Sequence, residues 1–428
     1  MSEPGVVVTG LGAVSAFGVG VSRFWDALAH GRSGIRPITA PLPAALRFSN
    51  GAEVCGYVAN DHFDEKQLSL MDRFAQYAVV AAREAVHDSG LVFDKRRTAI
   101  VTGSSAGGQD SSDAGFDDLY KKGSPRVNPM MIPRVMTSGG ASWISMELGI
   151  QGPVYSVSTA CSSANHAIGQ AFWMIRNGVC DAAIAGGCDA VFSYGFLKAW
   201  EAMRVVSVDT CRPFSSGRRG LILGEGAAML ILERTDAARA RGARIYAELA
   251  GFGMSSDAHH ITQPSAEGAA LAMSAALKDG GLATEAIGYI NAHGTGTEAN
   301  DAMETTAIRQ TFGGHADRLQ VSSTKSMHGH ALGAAGALEA VATALSLRHG
   351  ILPPTANYLE SDPACDLDVI PNEPRYRQVG AALSNSFAFG GLNAVLAFRA
   401  VANCSFTPRS PERYADAVNP PSLFSKAY

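Results

Sequence analysis

Cys161 stands where a strand pattern gives way to a helical one. In VYSVSTACSSANHAIG, residues 154–169, Val154, Ser156 and Ser158 alternate with Tyr155, Val157 and Thr159. Ala164, Ala167, Ile168, Ala171 and Ile175 then fall at helical spacing. The thiol is therefore expected at a helix N-terminus, where unpaired amides and the positive end of the macrodipole favour thiolate over thiol. A strand-to-helix turn of this kind exposes a nucleophile for attack on an ester or thioester. A lone free cysteine is ordinarily a small core residue, so the weight of the reading falls on what accompanies it. Strand-like runs at 288–291 and 319–323 lead into NAHGTGT and STKSMHGHALGAAGALE. These place His293 beside Thr295 and Thr297, and Lys325, His328, His330 and Glu339 in a second glycine-rich stretch. Two histidines, each just past a strand and flanked by glycine and threonine, point to catalysis rather than to structure.

The elements that would carry these residues fall into two similar series. Residues 5–10 read as a buried strand, a helix is expected to open at Ser69 with Asp72 three residues on, and 97–102 reads as a second strand. Residues 109–128 read as a polar, loop-rich lid or interface with one helical turn, and CDAAIAGGCDAV, 180–191, as two strands around a diglycine. From Arg244 the order begins again. RIYAELAGFGMSSDA resembles VVVTGLGAVSAFG, ALKDGGL resembles AVHDSGL, and AALSNSFAFGGLNAVLAF repeats the form of DAAIAGGCDAVF. Three echoes in one order predict a duplicated α/β unit, each half a sheet with helices on both faces. The expected units are residues 1–243, carrying the cysteine, and 244–401, carrying the two histidines, followed by an extended tail over 402–428. Corresponding strand ends would converge near a pseudo-twofold axis.

Composition narrows the class. The 428 residues are 46% hydrophobic and 17% charged with a formal charge of -4, which argues against nucleic acid as a partner. The seven cysteines form no CxxC pair, which fits a reducing cytosol rather than disulfides or zinc. No run approaches the roughly 20 apolar residues of a membrane span, and MSEPGVVVTG lacks the marks of a signal peptide. A cytoplasmic enzyme is expected. Gly10 and Gly12 fit two positions of GxGxxG but Ser15 fills the third, so no dinucleotide site is expected.

TACSSA, NAHGTGT, SSTKSMHGHALGAAGALE and NSFAFGGLN, within a likeness that covers residues 5–400, resemble the β-ketoacyl-acyl carrier protein synthases of the elongating type II class. The resemblance implies the thiolase fold, with duplicated halves in a five-layer αβαβα arrangement. It implies decarboxylative condensation of a malonyl thioester with an acyl chain held on Cys161, without metal or redox cofactor. Substrates would arrive on the phosphopantetheine of acyl carrier protein. His293 and His330 would bind the malonyl thioester carbonyl, with Lys325 and Glu339 as a supporting ion pair. The amides of Cys161 and Phe389 would form the oxyanion hole, Phe389 would gate the acyl pocket, and Thr295 and Thr297 would hold the phosphopantetheine arm. Ala106, Trp200 and Met131 are the residues expected to line the acyl pocket.

Departures from the family pattern carry expectations of their own. Ala106 stands where a bulky aliphatic residue is usual and Trp200 where a smaller aromatic is usual, which predicts a reshaped, deeper pocket for long or unsaturated chains. Ala388 and Leu392 replace a glycine and a threonine of the gate loop, and His328 replaces a threonine two residues from His330. LKAWEAMR, DTCRPFS and CSSANHAI also resemble the nodulation-type synthases, with polyene-making synthases as close alternatives. The basic mix at 198–219 reads either as a solvated face or as a carrier-docking patch. Docking would use Arg204 with Lys66, Arg73 and Arg126. A degradative thiolase would need a second cysteine near NSFAFGG, and initiating synthases use Cys-His-Asn. The competing class is a non-catalytic chain-length partner of a heterodimeric synthase. A homodimer or a pair with such a homologous subunit is expected.

Overall fold

The computed structural model describes residues 4–40 and 44–401. Among the described residues the main sheet has eleven strands, a short one at Gly18–Val19 that pairs back on the first and ten that run side by side: β1 (Val6–Ser15), β2 (Thr98–Gly103), β3 (Val154–Val157), β4 (Ala182–Asp189), β5 (Gly226–Arg234), β6 (Ala247–Ser256), β7 (Ile287–Asn291), β8 (Gln320–Ser322), β9 (Ala381–Ala388) and β10 (Leu392–Arg399). Their order is β8-β7-β9-β10-β6-β1-β5-β4-β2-β3, symmetric about the β6–β1 seam. At that seam the halves join, with Val6, Val7 and Val8 paired antiparallel to Leu249, Glu248 and Ala247. Four helices matter most for the site: α1 (Arg73–Ser89), α2 (Ser163–Arg176), α3 (Ala266–Asp279) and α4 (Ala335–His349).

Buried side chains sort into layers. One core joins the inner faces of both half-sheets to α2 and α4, through residues such as Val101, Ala185, Ile168, Leu338 and Leu396. A second packs α1 on the outer face of the first half through Ala78, Ile100 and Met229. A third packs α3 and the helix Glu298–Phe312 on the outer face of the second half through Met273, Ile290 and Val395. Helix, sheet, paired helices, sheet and helix make the five layers of the thiolase fold. α4 is buried on nearly every side because it lies between the two half-sheets, so its sequence carries no amphipathic stripe.

The internal echoes have a physical basis. Asp88 at the end of α1 accepts the Leu11 amide of β1 at 3.0 Å, and Asp279 at the end of α3 accepts the Phe252 amide of β6 at 2.9 Å. The glycines flanking those amides let each helix lie directly on its strand. A Cβ on Gly10 or Gly12 would fall 2.2 or 1.9 Å from carbonyl oxygens of α1, and one on Gly251 or Gly253 would fall 2.4 or 2.2 Å from carbonyl oxygens of α3. Thus Gly-Leu-Gly in β1 belongs to helix packing, not to a dinucleotide turn. The third echo holds for one strand only. β9 turns directly into β10, whereas residues 190–225 intervene between β4 and β5.

Several local expectations are corrected. The long helix begins at Arg73, not Ser69, because Asp72 is extended and its carboxylate caps the helix by accepting the Phe74 amide. Ser69 lies in a separate turn, Glu65–Leu70, closed by an Asp64–Gln67 capping box. Residues 109–120 form a three-turn helix, Gln109–Tyr120, rather than one turn. It buries only Ser111 and Gly115, so it offers no apolar stripe to read, and Phe116 and Tyr120 stack 5.9 Å apart on its exposed side. Residues 182–189 are one strand through the diglycine, since Gly186 admits the Ala228 carbonyl where a Cβ would lie at 1.9 Å. Arg218 is no part of a solvated face: it is 5% exposed and ion-paired to Asp301 and Asp362. The extended tail expected at 402–428 lies outside the described residues.

Gly12→Ala is expected to cost about 1–3 kcal/mol of stability, as overpacking of a tight interior does. Thermal unfolding at equal protein concentration measures it, and an unchanged midpoint would show that α1 can lift from β1 without loss.

Candidate active site

The site forms at the carboxyl ends of strands from both halves, where α2 and α4 also begin. β3 leads into Thr159–Ala160–Cys161, with Ala160 at φ 50, a left-handed conformation that is unfavourable for a residue with a side chain. Local hydroxyls brace that turn. Ser162 Oγ donates to the Thr159 carbonyl at 2.8 Å, Ser163 Oγ donates to the Ala160 carbonyl at 2.6 Å, and the Thr159 amide donates to Ser163 Oγ at 2.9 Å. The result is a sulfur just ahead of α2 and 8% exposed. The backbone amides of Cys161 and Phe389 both donate to it.

Those amides and the nearby Lys325 ammonium favour thiolate, but they do not prevail. Burial is the largest effect, Asp189 adds to it, and the thiol is pushed up to about 11. The expectation of a resting thiolate is thereby corrected: the helix start supplies donors to a sulfur that burial keeps protonated.

His293 follows β7, and its amide and that of Gly294 donate to the two oxygens of buried Glu304 at 2.9 and 2.8 Å. His330 follows β8 and is clamped to the first half of the chain. Its amide donates to the Ile222 carbonyl at 2.7 Å and its carbonyl accepts the Gly224 amide at 2.9 Å. The Leu332 amide donates to His330 Nδ1 at 3.2 Å, which requires the ring proton on Nε2, and Nε2 has no partner among the described residues. The two rings stand 5.4 Å apart, edge to face. Cys161 Sγ and one nitrogen of each ring lie within 4.8 Å of one another. Such a trio is the right size for a metal, but a metal on Nε2 would move the ring proton to Nδ1, against the Leu332 N–H. The His330 geometry therefore suits a hydrogen-bond donor better than a metal ligand.

Behind the rings, Lys325 and Glu339 form an ion pair with both side chains fully buried. Burial pushes the Glu339 carboxyl up to about 7 against the opposing pull of Lys325. Burial, the Lys325 charge and a neighbouring imidazole hold His293 and His330 well below the usual histidine range, so both rings are neutral. His328 is not part of the trio. Its Nε2 meets Thr324 Oγ1 at 3.0 Å, its ring packs 5.8 Å from Phe24, and burial pushes it down to about 3.

Two cavities meet at the sulfur. One, of ≈360 Å³, is lined by Ser105, Ser158, Ala160, Phe196, Trp200, Leu332 and Phe389 together with Cys161. The other, of ≈120 Å³, joins Cys161, His293 and His330 to Thr295, Thr297 and the loop 260–264. The threonine hydroxyls lie 2.8 Å apart. Trp200 stacks on Phe389 with centroids 6.2 Å apart, and Ala106 packs against the same apolar cluster beside the lining residue Ser105. Met131 has its sulfur and methyl against Gly115 and is not among the residues lining these two cavities. Arg73 is half-buried, 3.5 Å from the carboxylate of buried Glu225, and donates to the Tyr77 hydroxyl. Arg204 is exposed at the end of the helix Tyr194–Met203, next to the lining residue Val205, and Lys66 and Arg126 are exposed as well.

Sequence reasoning missed Phe196, which the four-residue helical spacing to Trp200 would have revealed. It also missed Glu304, one helical turn past Asp301 on the helix after NAHGTGT, and the loop 260–264, for which the sequence gives no signal.

Comparison with known proteins fits this geometry. The beta-ketoacyl synthase N-terminal domain matches residues 3–238 and the C-terminal domain of the same family matches residues 246–359. The chain belongs to the beta-ketoacyl synthase family. Nodulation protein E of Rhizobium sp. (strain N33) is 50% identical over 92% of this chain and 99% of its own length. The 3-oxoacyl-[acyl-carrier-protein] synthase 2 of Staphylococcus aureus (strain COL) is 41% identical over 92% and 98%. The solved ishigamide ketosynthase/chain length factor has a TM-score of 0.90 at 38% identity, covering 94% of this chain and 100% of that one. With this family the chain is an acyltransferase of the 3-oxoacyl-[acyl-carrier-protein] synthase type. No helix among the described residues is long and apolar enough to cross a membrane.

A thiol held near 11 dictates a pH profile. Alkylation of Cys161 by iodoacetamide is expected to rise about tenfold per pH unit from pH 7 to 10, because only thiolate reacts and its fraction grows until pH passes the pKa. A plateau below pH 9, read by peptide mass spectrometry, would contradict the dominance of burial.

Proposed function

We propose that this synthase extends acyl chains by decarboxylative condensation of a malonyl thioester with an acyl group stored on Cys161. The observation that carries the reading is the convergence of one sulfur and two neutral imidazoles within 4.8 Å, beside paired backbone amides. Cys161 attacks the acyl thioester, its proton leaves with the released carrier thiol, and the tetrahedral oxyanion is held by the amides of Cys161 and Phe389. Losing one such donor costs on the order of 10²–10³ in rate in comparable holes. Malonyl thioester then occupies the mouth, its phosphopantetheine arm along Thr295 and Thr297. As carbon dioxide departs, negative charge grows on the thioester oxygen, where His330 Nε2–H and the His293 ring donate hydrogen bonds. Lys325 keeps both rings neutral and favours the enolate. The carbanion attacks the acyl-Cys161 carbonyl, the same amides hold the second oxyanion, and the cysteine leaves and regains a proton. None of these steps calls on a metal or a redox cofactor.

Both substrates are carried on acyl carrier protein in this proposal, in agreement with the name of the Staphylococcus relative. The stored chain is long or unsaturated, as the small side chain of Ala106 beside the Trp200 cluster favours. The two units are residues 1–243 and 244–401, the setting is the cytoplasm, and the chain pairs with a second copy or a homologous subunit. A purely structural chain-length subunit would not need the sulfur and both rings brought together.

Intact-protein mass spectrometry with a panel of acyl carrier proteins tests the assignment. Wild type should gain one acyl mass. Cys161→Ala should gain none, whereas His293→Ala and His330→Ala should acylate yet lose decarboxylation of malonyl carrier protein by at least about 10²-fold. Ala106→Ile should shorten the longest chain accepted. Acylation surviving in Cys161→Ala would end the proposal.

Arg204→Glu should lower kcat/KM for carrier-bound donors about tenfold or more, with less than about a twofold change for a short thioester mimic, since a rim charge acts on encounter. Equal losses on the two substrates would refute docking at Arg204.

A further inference from the structure

Asp189 ends β4 fully buried and touches no reacting atom in the scheme above. Five donors converge on it. Ser104 Oγ donates at 2.7 Å and Ser105 Oγ at 2.6 Å, while the amides of Ser105, Ala106 and Gly333 donate at 3.1, 3.2 and 2.7 Å. Burial raises this carboxyl, and the hydrogen bonds it receives oppose the rise. Four of the donors belong to the turn that walls the larger cavity through Ser105. The fifth, Gly333, belongs to the other half of the molecule.

Gly333 follows Leu332, a non-glycine residue at φ 48 that lines the larger cavity and donates its amide to His330 Nδ1. Such a conformation persists in a residue with a side chain only where its surroundings enforce it. The approach is tight. A Cβ on Gly333 would lie 2.5 Å from the Ser105 amide nitrogen and 2.6 Å from Asp189 Oδ2, and one on Gly187 would lie 2.6 Å from the Gly333 carbonyl. We propose that Asp189 is a positioning residue for the condensation. By gripping Gly333 across the two halves it holds the Leu332 turn, so that the Leu332 amide stays on His330 Nδ1 and the ring presents its Nε2 proton to the malonyl thioester.

The inference rests on the role given to His330, which His330→Ala tests on its own. Asp189→Asn sets an amide NH2 against donors and should loosen the grip. Its kcat for decarboxylation of malonyl carrier protein should fall about 10- to 100-fold, the scale of small misplacements of catalytic groups. KM should stay within about twofold. Alkylation of Cys161 at pH 8 should be no slower than in wild type, because a negative charge near the sulfur has been removed. Nitrogen-15 spectra of histidine-labelled protein should show His330 passing from one Nε2–H tautomer to a mixture. Ser104→Ala, which removes one donor without lining the cavity, should give the same split at smaller size, and it decides the matter if the Asn variant does not fold. Decarboxylation within twofold of wild type overturns the inference. So does parallel loss of decarboxylation and alkylation with the tautomer unchanged, which would leave Asp189 a residue of the fold alone. If His330→Ala itself retains decarboxylation, the catalytic assignment fails and this inference with it.

Discussion

The Lys325 ammonium, fully buried and paired with Glu339, acts strongly on the charge state of the groups around it because burial weakens screening. It lowers the proton affinity of His293, His328, His330 and Cys161 alike. The same positive charge that helps keep two imidazoles neutral draws negative charge toward sulfur and, in the proposed reaction, toward an enolate. Burying it without Glu339 would leave an uncompensated ion, a loss of about 3–5 kcal/mol where such pairs are broken. In the proposed cycle one ion pair thus serves both half-reactions, and the molecule must keep it dry.

Dryness follows from the duplicated architecture. The two central helices lie between half-sheets, and each begins at the site, α2 just after Cys161 and α4 just after His330. Corresponding strand ends therefore deliver one chemical group each into a shared interior that neither half encloses alone. Conserving the geometry of each half conserves the spacing between groups more than a hundred residues apart.

Much of this was legible in the sequence. Cys161 stood out through a change of period, and the two histidines through glycine and threonine after short strands. The echoes gave the duplication because helix-on-strand packing demands the same Asp and Gly pattern twice. What stayed hidden was set by tertiary contact. Arg218 looks like a surface cation until Asp301 and Asp362 are seen beside it. The helix Gln109–Tyr120 has no apolar stripe because only two of its residues are buried. Cys161 looked poised for ionisation because a helix start is visible in sequence, whereas the depth of its burial is not.

The β1–β6 seam has a further consequence. Backbone pairing at Val6–Val8 and a common core on both central helices make the halves one body, so a clam-shell opening would tear both apart. Entry and exit of substrate must then be a matter of side chains and short surface segments rearranging at the rim, while the interior scaffold stays still through every turnover.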